Sequence, residues 1–381
     1  MTRVRVSRLV FFHWRNGQMV CDDPLRHRQF ALSAAAESLL RPLSHWTDLR
    51  ELDGELSELA QRLLAAHVLV AEGSPEHLLE ERESPWSTWG SAATYYHLAT
   101  RTRRDDAFLT AAEDTAEIRR RATARPSPSP FKTHGGQVVR LPEGGSPDGA
   151  DFGADFGHVL RARRTTRRFS AADPVSAEQL SGLLRWVAGP FHRIDVPGVG
   201  SVVLKTSPSG GARHAIEVYP VVLSVSGVPP GVYHYRAQDH CLETVRPGRP
   251  DSGELVHWCG GQLYADTAGV LLLYTAVLRR SAWKYRTGRT YRTLFMDLGH
   301  LSQTAYLVAT ALGLGAFFTA ATRDEAIEEV LGLTWEEEIF LGLTGVGVPD
   351  ETESRRQREM LAGGPAGFSF AMDAWDGLGT T

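Results

Sequence analysis

Residues 292–315, RTLFMDLGHLSQTAYLVATALGLG, decide the fold class of this 381-residue chain. The stretch is apolar along much of its length and stops at Gly313, so it reads as one long helix over 292–312. With so few polar positions, such a helix needs a covering partner. On its C-terminal side, residues 321–331 read as a further helix with Asp324 and Glu325 near its start, and residues 339–346 as a last strand. On its N-terminal side, residues 231–235 and 241–245 form a hairpin pattern, while 202–204 and 217–224 read as strands. Residues 269–277 suit a buried strand or the core of a helix, because a short continuous apolar run fits both. Residues 176–187 place Leu180, Leu183, Leu184 and Val187 on one helical side. Long helices among separated strands make an α+β pattern. No strand is followed by Gly-x-Gly-x-x-Gly, so a dinucleotide-binding Rossmann unit has no support.

Further upstream, residues 4–21 read as two strands around Asn16-Gly17, a pair that favours the type I′ turn. Helices over 30–40 and 52–66 and a short strand over 67–71 complete a small winged-helix-like domain, residues 1–80. It has no basic recognition-helix cluster to favour DNA. Residues 81–157 read as a connecting segment. Its aromatic patch (Trp86, Trp89, Tyr95, Tyr96, His97) is expected to dock on a core or a second subunit. The basic run at 119–125, the Pro-Ser repeats at 125–130 and the Gly/Pro/Asp-rich stretch at 135–157 read as a partly mobile linker or surface excursion. Residues 158–349 are domain-like, and 350–381 form a C-terminal extension.

Composition narrows the function classes. A 42% hydrophobic chain can bury a sizeable core, and 41 basic against 45 acidic residues argue against an overall cationic binder of nucleic acid or membrane. Cys21, Cys241 and Cys259 lie far apart, too sparse for a disulfide scaffold or a zinc-thiolate site. The N-terminus lacks the pattern of a signal peptide, and the apolar run 268–278 is far below a membrane span. A soluble cytoplasmic protein is expected.

Three clusters could carry chemistry. Arg161 to Phe169, RARRTTRRF, holds five arginines and two hydroxyls, and guanidinium forks match anionic oxygens. The same run also suits a solvated basic strip. Residues 207–214, SPSGGARH, let backbone approach a planar ligand or an anion, or simply form a tight loop. Residues 283–292, WKYRTGRTYR, place Lys284 beside Tyr285; convergence of the two side chains requires a turn or a helix end rather than a strand. His300 fits a core position better than a metal ligand, and no spacing of Asp, Glu and His supports a metal centre.

Taken together, these clusters resemble the nitroreductase-like flavoprotein superfamily and its SagB-type branch, the azoline dehydrogenases. Residues 163–169 look like its opening Arg-Arg-Ser/Thr-x-Arg-x-Phe, and residues 208–213, 231–235 and 298–315 follow in order. Lys284-Tyr285 resembles the Lys-Tyr pair of the azoline dehydrogenases, and residues 89–101 resemble that branch's entry to its catalytic domain. The resemblance implies an α+β, nitroreductase-like FMN-binding fold whose homodimer builds two FMN sites at the shared interface. It implies that Arg163, Arg164, Thr165 and Arg167 hold the FMN phosphate and ribityl chain. Pro208, Ser209, Gly210 and Gly211 would lie near the isoalloxazine, with Gly313 and Gly315 letting a loop approach. Thr165 replaces the commoner serine. The implied reaction oxidises thiazolines or oxazolines of a peptide to thiazoles or oxazoles, with oxygen as electron acceptor, beside a cyclodehydratase partner. Lys284 and Tyr285 would be catalytic: an ammonium at Lys284 favours phenolate at Tyr285, whereas a desolvated Lys284 could itself be the base. Two other functions remain: an FMN nitroreductase or oxidoreductase on small or carrier-bound substrates, and a non-catalytic peptide-binding scaffold.

Overall fold

The computed structural model describes residues 2–82, 85–102, 107–143, 155–197, 199–353, 355 and 359. They divide into two compact units at Phe108/Leu109.

The first unit contains two three-stranded antiparallel sheets. Arg3–Val6 lies between Thr47–Asp48 and Leu69–Ala71 in one; Gln18–Asp23 lies between Phe11–Arg15 and Arg28–Ala31 in the other. Asn16 and Gly17 take φ of 51° and 76°, as a type I′ hairpin requires. The expected pair of strands over 4–21 is thus three strands in two sheets. The expected helix over 30–40 also changes: Phe30 and Ala31 belong to a strand, and the helix Ala34–Leu40 starts only after Ser33. The Ser33 side chain accepts the Ala36 N–H at 3.2 Å, a helix-start signal that the apolar pattern obscured. Tyr95 of the aromatic patch docks within this unit, donating to Asp22 at 2.7 Å and packing edge-on against Phe11. The side chains of Trp86 and Trp89 lie outside the described residues.

The second unit is built on a seven-stranded antiparallel sheet. Its order is Gly315–Thr319, Glu338–Gly347, Val270–Val277, Ile216–Val222, Gly231–Arg236, Cys241–Pro247, Val138–Arg140. The ambiguous run at 269–277 is an interior strand, third in that order, and the period of two sorts its side chains between two cores. Val270, Leu272, Tyr274 and Ala276 join Leu180, Leu183, Leu294, Leu298 and Leu301 from the helices Ala177–Ala188 and Thr290–Ala311. Leu271 and Leu273 face the other way, toward Trp258, Ile327 and Leu331 of Ser252–Trp258 and Asp324–Leu331. The long helix ends in a Schellman motif: Gly313 has φ 75°, its N–H donates to Thr310, and Leu314 N–H donates to Ala309.

Both margins of this sheet are dressed. Along one, Thr165 bridges Gly315–Thr319 at Ala316, where Thr166 N–H donates to the Ala316 carbonyl at 2.8 Å. At the other, the three-residue strand Val138–Arg140 pairs with Cys241–Glu243. The segment leading to it corrects the linker expectation. Thr110 and Glu113 form a capping box that starts the helix Ala111–Ala124, and the chain that follows is tied down as a strap. Trp283 Nε1 donates to the Arg125 carbonyl at 2.8 Å and Arg280 Nε to that of Ser129 at 3.0 Å. Lys132 Nζ reaches Tyr219 at 2.6 Å and Glu338 at 2.5 Å, and Glu243 accepts the N–H groups of His134 and Gly135. Residues 144–154 of the expected linker, and most of the extension beyond Glu353, lie outside the described residues. Among the described residues no helix is long and apolar enough to cross a membrane.

Two buried histidines are expected to make this unit acid-sensitive. Ser181 Oγ donates to the Pro142 carbonyl, so His240 Nε2 donates to Ser181 and Nδ1 accepts the Tyr235 hydroxyl at 2.7 Å. That tautomer is neutral. Burial pulls His240 down to about 4 and His214 to about 3. Both folded values lie below the unfolded one, so the unfolded chain takes up more protons once pH falls below about 6.5. Stability should therefore be full above about pH 6.5 and decline below it, by on the order of 2 kcal/mol for each histidine near pH 4.5. Urea unfolding midpoints at several pH values check this. A midpoint unchanged between about pH 7.5 and pH 4.5, above most of the carboxylate range, would contradict it.

Candidate active site

The loop of residues 207–214 joins the strands Gly200–Leu204 and Ile216–Val222 through a short turn, Gly210–Ala212. It is stapled to the long helix. Ser209 Oγ donates to Asp297 Oδ2 at 2.6 Å, Gly210 N–H donates to Oδ1 at 3.1 Å, and Ser207 Oγ pairs with Thr304 Oγ1 at 2.7 Å. Ser209 Oγ also accepts the His214 N–H at 2.9 Å. Burial raises the Asp297 carboxyl, and the two loop donors partly oppose that rise.

Lys284 and Tyr285 converge on this loop. The helix Leu278–Lys284 ends at the lysine and Tyr285 is already extended, so the adjacent side chains do not diverge as they would in a strand. Lys284 Nζ lies 5.3 Å from the centre of the Tyr285 ring. A Cβ placed on Gly211 would meet Lys284 Cδ at 2.9 Å, Lys284 Nζ at 3.1 Å and the Tyr285 hydroxyl closer still. Gly211 also has φ 61°, so two independent constraints require glycine there.

The Ala111–Ala124 helix supports the pair from behind. Arg121 Nη1 donates to the Lys284 carbonyl, Glu117 holds Arg121 Nε at 2.5 Å, and Asp114 Oδ2 lies 3.6 Å from Lys284 Nζ. Sequence reasoning missed Asp114, Arg121 and Asp297. The capping box at Thr110 and the Glu117/Arg121 spacing of four residues were signals for the first two; Asp297 lay inside an apolar helix with nothing local to mark it.

The arginine run lies elsewhere, against the Thr290–Ala311 helix at Tyr306. Arg163 stacks over the Tyr306 ring at 5.3 Å, Thr165 Oγ1 lies 3.3 Å from the Tyr306 hydroxyl, and Arg167 sits over Tyr264 at 5.5 Å. Arg164 turns back to the Arg163 carbonyl at 2.7 Å. The absent Cβ of Gly315 faces Thr166 at 2.6–2.8 Å, so that glycine lets the arginine run lie against its strand. Asp297 and Tyr306 are nine residues apart, which is about 900° of helical rotation, or half a turn out of phase. The glycine loop and the arginine run therefore occupy opposite faces of the Thr290–Ala311 helix.

Residues 160–348 match the nitroreductase family model. A Methanocaldococcus jannaschii protein named as a nitroreductase, MJ1384, is 34% identical over 174 residues, 45% of this chain and 82% of the relative. The chain belongs to the nitroreductase family. Other relatives of this nitroreductase-family protein are the trifolitoxin-processing protein TfxB of Rhizobium leguminosarum bv. trifolii and the microcin B17-processing protein McbC of Escherichia coli. TfxB is 31% identical over 162 residues, 42% of this chain and 43% of TfxB. McbC is 30% identical over 141 residues, 36% of this chain and 51% of McbC. The chain thus spans about half or less of the length of these two.

A nitroreductase-family fold implies FMN, and the donor sets of this chain fit it. The guanidinium groups of Arg163 and Arg167 lie on aromatic rings and, among the described residues, pair with no carboxylate, which leaves their forks suited to a phosphate. The loop of residues 208–211 carries no side chain at Gly210 or Gly211, which lets Lys284 and Tyr285 close against its backbone at Gly211.

Proposed function

We propose that this chain is an FMN-dependent dehydrogenase that oxidises peptide thiazolines or oxazolines to thiazoles or oxazoles, with oxygen as terminal acceptor. The observation that carries the reading is the convergence of Lys284 and Tyr285 on Gly211. The relatives named for trifolitoxin and microcin B17 processing support a role in peptide maturation. FMN, held by Arg163, Arg164, Thr165 and Arg167 and by the Pro208, Ser209, Gly210 and Gly211 backbone, would supply a two-electron acceptor. Gly313 and Gly315 shape the strand start beside that site. Tyr285 takes the proton lost from one ring carbon, and Lys284 sits where an ammonium stabilises the negative phenol oxygen. Asp114 and Arg121 hold Lys284 in place for that step. Mass spectrometry of an azoline-containing peptide after incubation tests the proposal. Loss of two hydrogens per ring is the expected result; an unchanged mass with FMN-replete protein would overturn it. The family name keeps a second reading open, reduction of nitroarenes by NAD(P)H. That activity without azoline oxidation would establish it.

The working unit is a homodimer in this reading. One chain presents its arginine run and its glycine loop on opposite faces of a helix, and a second copy can bring one of each around a single flavin. Tyr291, Phe295 and Met296, 44–57% exposed on that helix, supply apolar surface for the contact. Light scattering of the FMN-loaded protein should return twice the chain mass; a monomer with full activity would refute the dimer. Arg163→Ala and Arg167→Ala should each weaken FMN retention about tenfold or more, since each removes a charge-assisted phosphate contact. Flavin fluorescence after gel filtration measures it, and unchanged retention in both would displace the phosphate site. Residues 1–80, as a winged-helix-like module, would position the peptide, and a cyclodehydratase would supply the azolines in the cytoplasm.

A further inference from the structure

We propose that an arginine-lined cleft beside Lys284 and Tyr285 is a second binding site, one that takes an acidic segment of a peptide. The peptide nature of the occupant rests on the function proposed above; the charge of the occupant rests on the cleft itself. The cleft, of about 340 Å³, opens between the Ala111–Ala124 helix with its continuation to Pro128 and the Leu278–Lys284 helix with its continuation to Arg286. Among the described residues nine line it, five of them arginines and none acidic. Arg120 and Arg121 share the carboxylate of Glu117. Among the described residues, the side chains of Arg125, Arg279 and Arg286 make no ion pair or hydrogen bond, and all three are exposed.

Three uncompensated guanidinium groups around one concavity repel each other, and an anion that enters relieves that repulsion. The chain as a whole carries a formal charge of −4, so the excess is local. Planar forks pair with carboxylates two bonds at a time, which suits glutamate and aspartate side chains. A nucleic acid fits less well. Its binding grooves add exposed aromatic faces for base stacking, whereas Trp283, the one aromatic among the described lining residues, is 7% exposed, donates to the Arg125 carbonyl and carries Arg213 over its ring at 5.3 Å. Arg213 Nε in turn donates to the Gly211 carbonyl at 3.2 Å. Trp283 to Arg286 are consecutive, so a peptide seated in the cleft lies next to the proposed reacting centre.

The test uses the FMN-loaded full chain and a fluorescein-labelled hexaglutamate that contains no azoline, so it answers independently of any azoline chemistry. Fluorescence anisotropy should show saturable binding that weakens at about 0.5 M salt. Arg279→Gln with Arg286→Gln should weaken that binding about tenfold or more, while leaving FMN content and the unfolding midpoint in place because both residues are exposed. Hexaglutamine should not bind. The proposal is overturned by undiminished binding in the double variant, or by absence of saturation up to about 1 mM hexaglutamate. Oligothymidylate binding as tightly as hexaglutamate would assign the cleft to nucleic acid. Displacement of hexaglutamate by equimolar inorganic phosphate would make it a general anion site. Each of those outcomes also rejects an acidic-peptide site.

Discussion

Tyr285→Phe is expected to keep its flavin and its fold and to lose about 100-fold or more in the rate at which an azoline peptide reduces the flavin, the span expected for a positioned acid or base. The substitution keeps the ring that Lys284 lies over and removes only the oxygen, which points at Gly211. Folding should be indifferent to that oxygen, because no hydrogen bond to it is formed among the described residues. Chemistry should not be, because a phenyl ring cannot take a proton. Rapid mixing under anaerobic conditions sees the reductive step directly and is blind to oxygen turnover. Wild-type reduction rates in Tyr285→Phe would remove Tyr285 from the reaction, and Lys284 would be the base to examine next.

Arg280→Ala is expected to cost about 3–5 kcal/mol of stability, the penalty for stranding the partner of a buried ion pair. Arg280 is 3% exposed; its Nη1 lies 2.6 Å from Glu217 Oε1 and also donates to the His214 carbonyl at 3.0 Å. Burial alone would raise the Glu217 carboxyl, but Arg280 and His234 outweigh it and hold it down to about 2. Remove the arginine and that buried carboxylate keeps only its His234 hydrogen bond and the charge of Lys205. The strap should loosen as well, because Arg280 also holds the Ser129 carbonyl. A shift of the denaturation midpoint with increased proteolysis between Arg125 and Phe131 is the combined signature. Adding Glu217→Gln should restore part of the loss, since it removes the unpaired charge. A loss below about 1 kcal/mol in Arg280→Ala would show that the pair is solvated.

The parts of the fold that were legible in the sequence are those where one local rule acts alone. Asn16-Gly17 makes its turn because both residues accept positive φ, and the Thr290–Ala311 helix stops where Gly313 allows the left-handed cap. Residues 269–277 were ambiguous because a strand buried on both faces has no polar alternation, and only the neighbouring strands decide it. The strap was misread for a different reason. Its proline-rich composition matches a solvated linker, while its order comes from partners as distant as Glu338, 206 positions from Lys132. The clusters at 163–169, 208–211 and 284–285 were visible as residue types. Which of them meet was not, since the end of a seven-residue helix aims Lys284 and Tyr285 at Gly211.

The dressed margins of the large sheet bear on how the protein can be cut. The matched family region begins at residue 160, and a truncation there would delete Val138–Arg140 and the strap. Cys241–Pro247, a seven-residue strand, would then become an open edge with unpaired amides, an invitation to strand-by-strand aggregation. Elsewhere on the sheet Glu338 would lose Lys132, and Glu243 of that strand would lose two amide donors, so the shortened protein would carry stranded acids as well as a sticky border. A soluble catalytic fragment therefore has to begin no later than Thr110, about fifty residues before the family resemblance does.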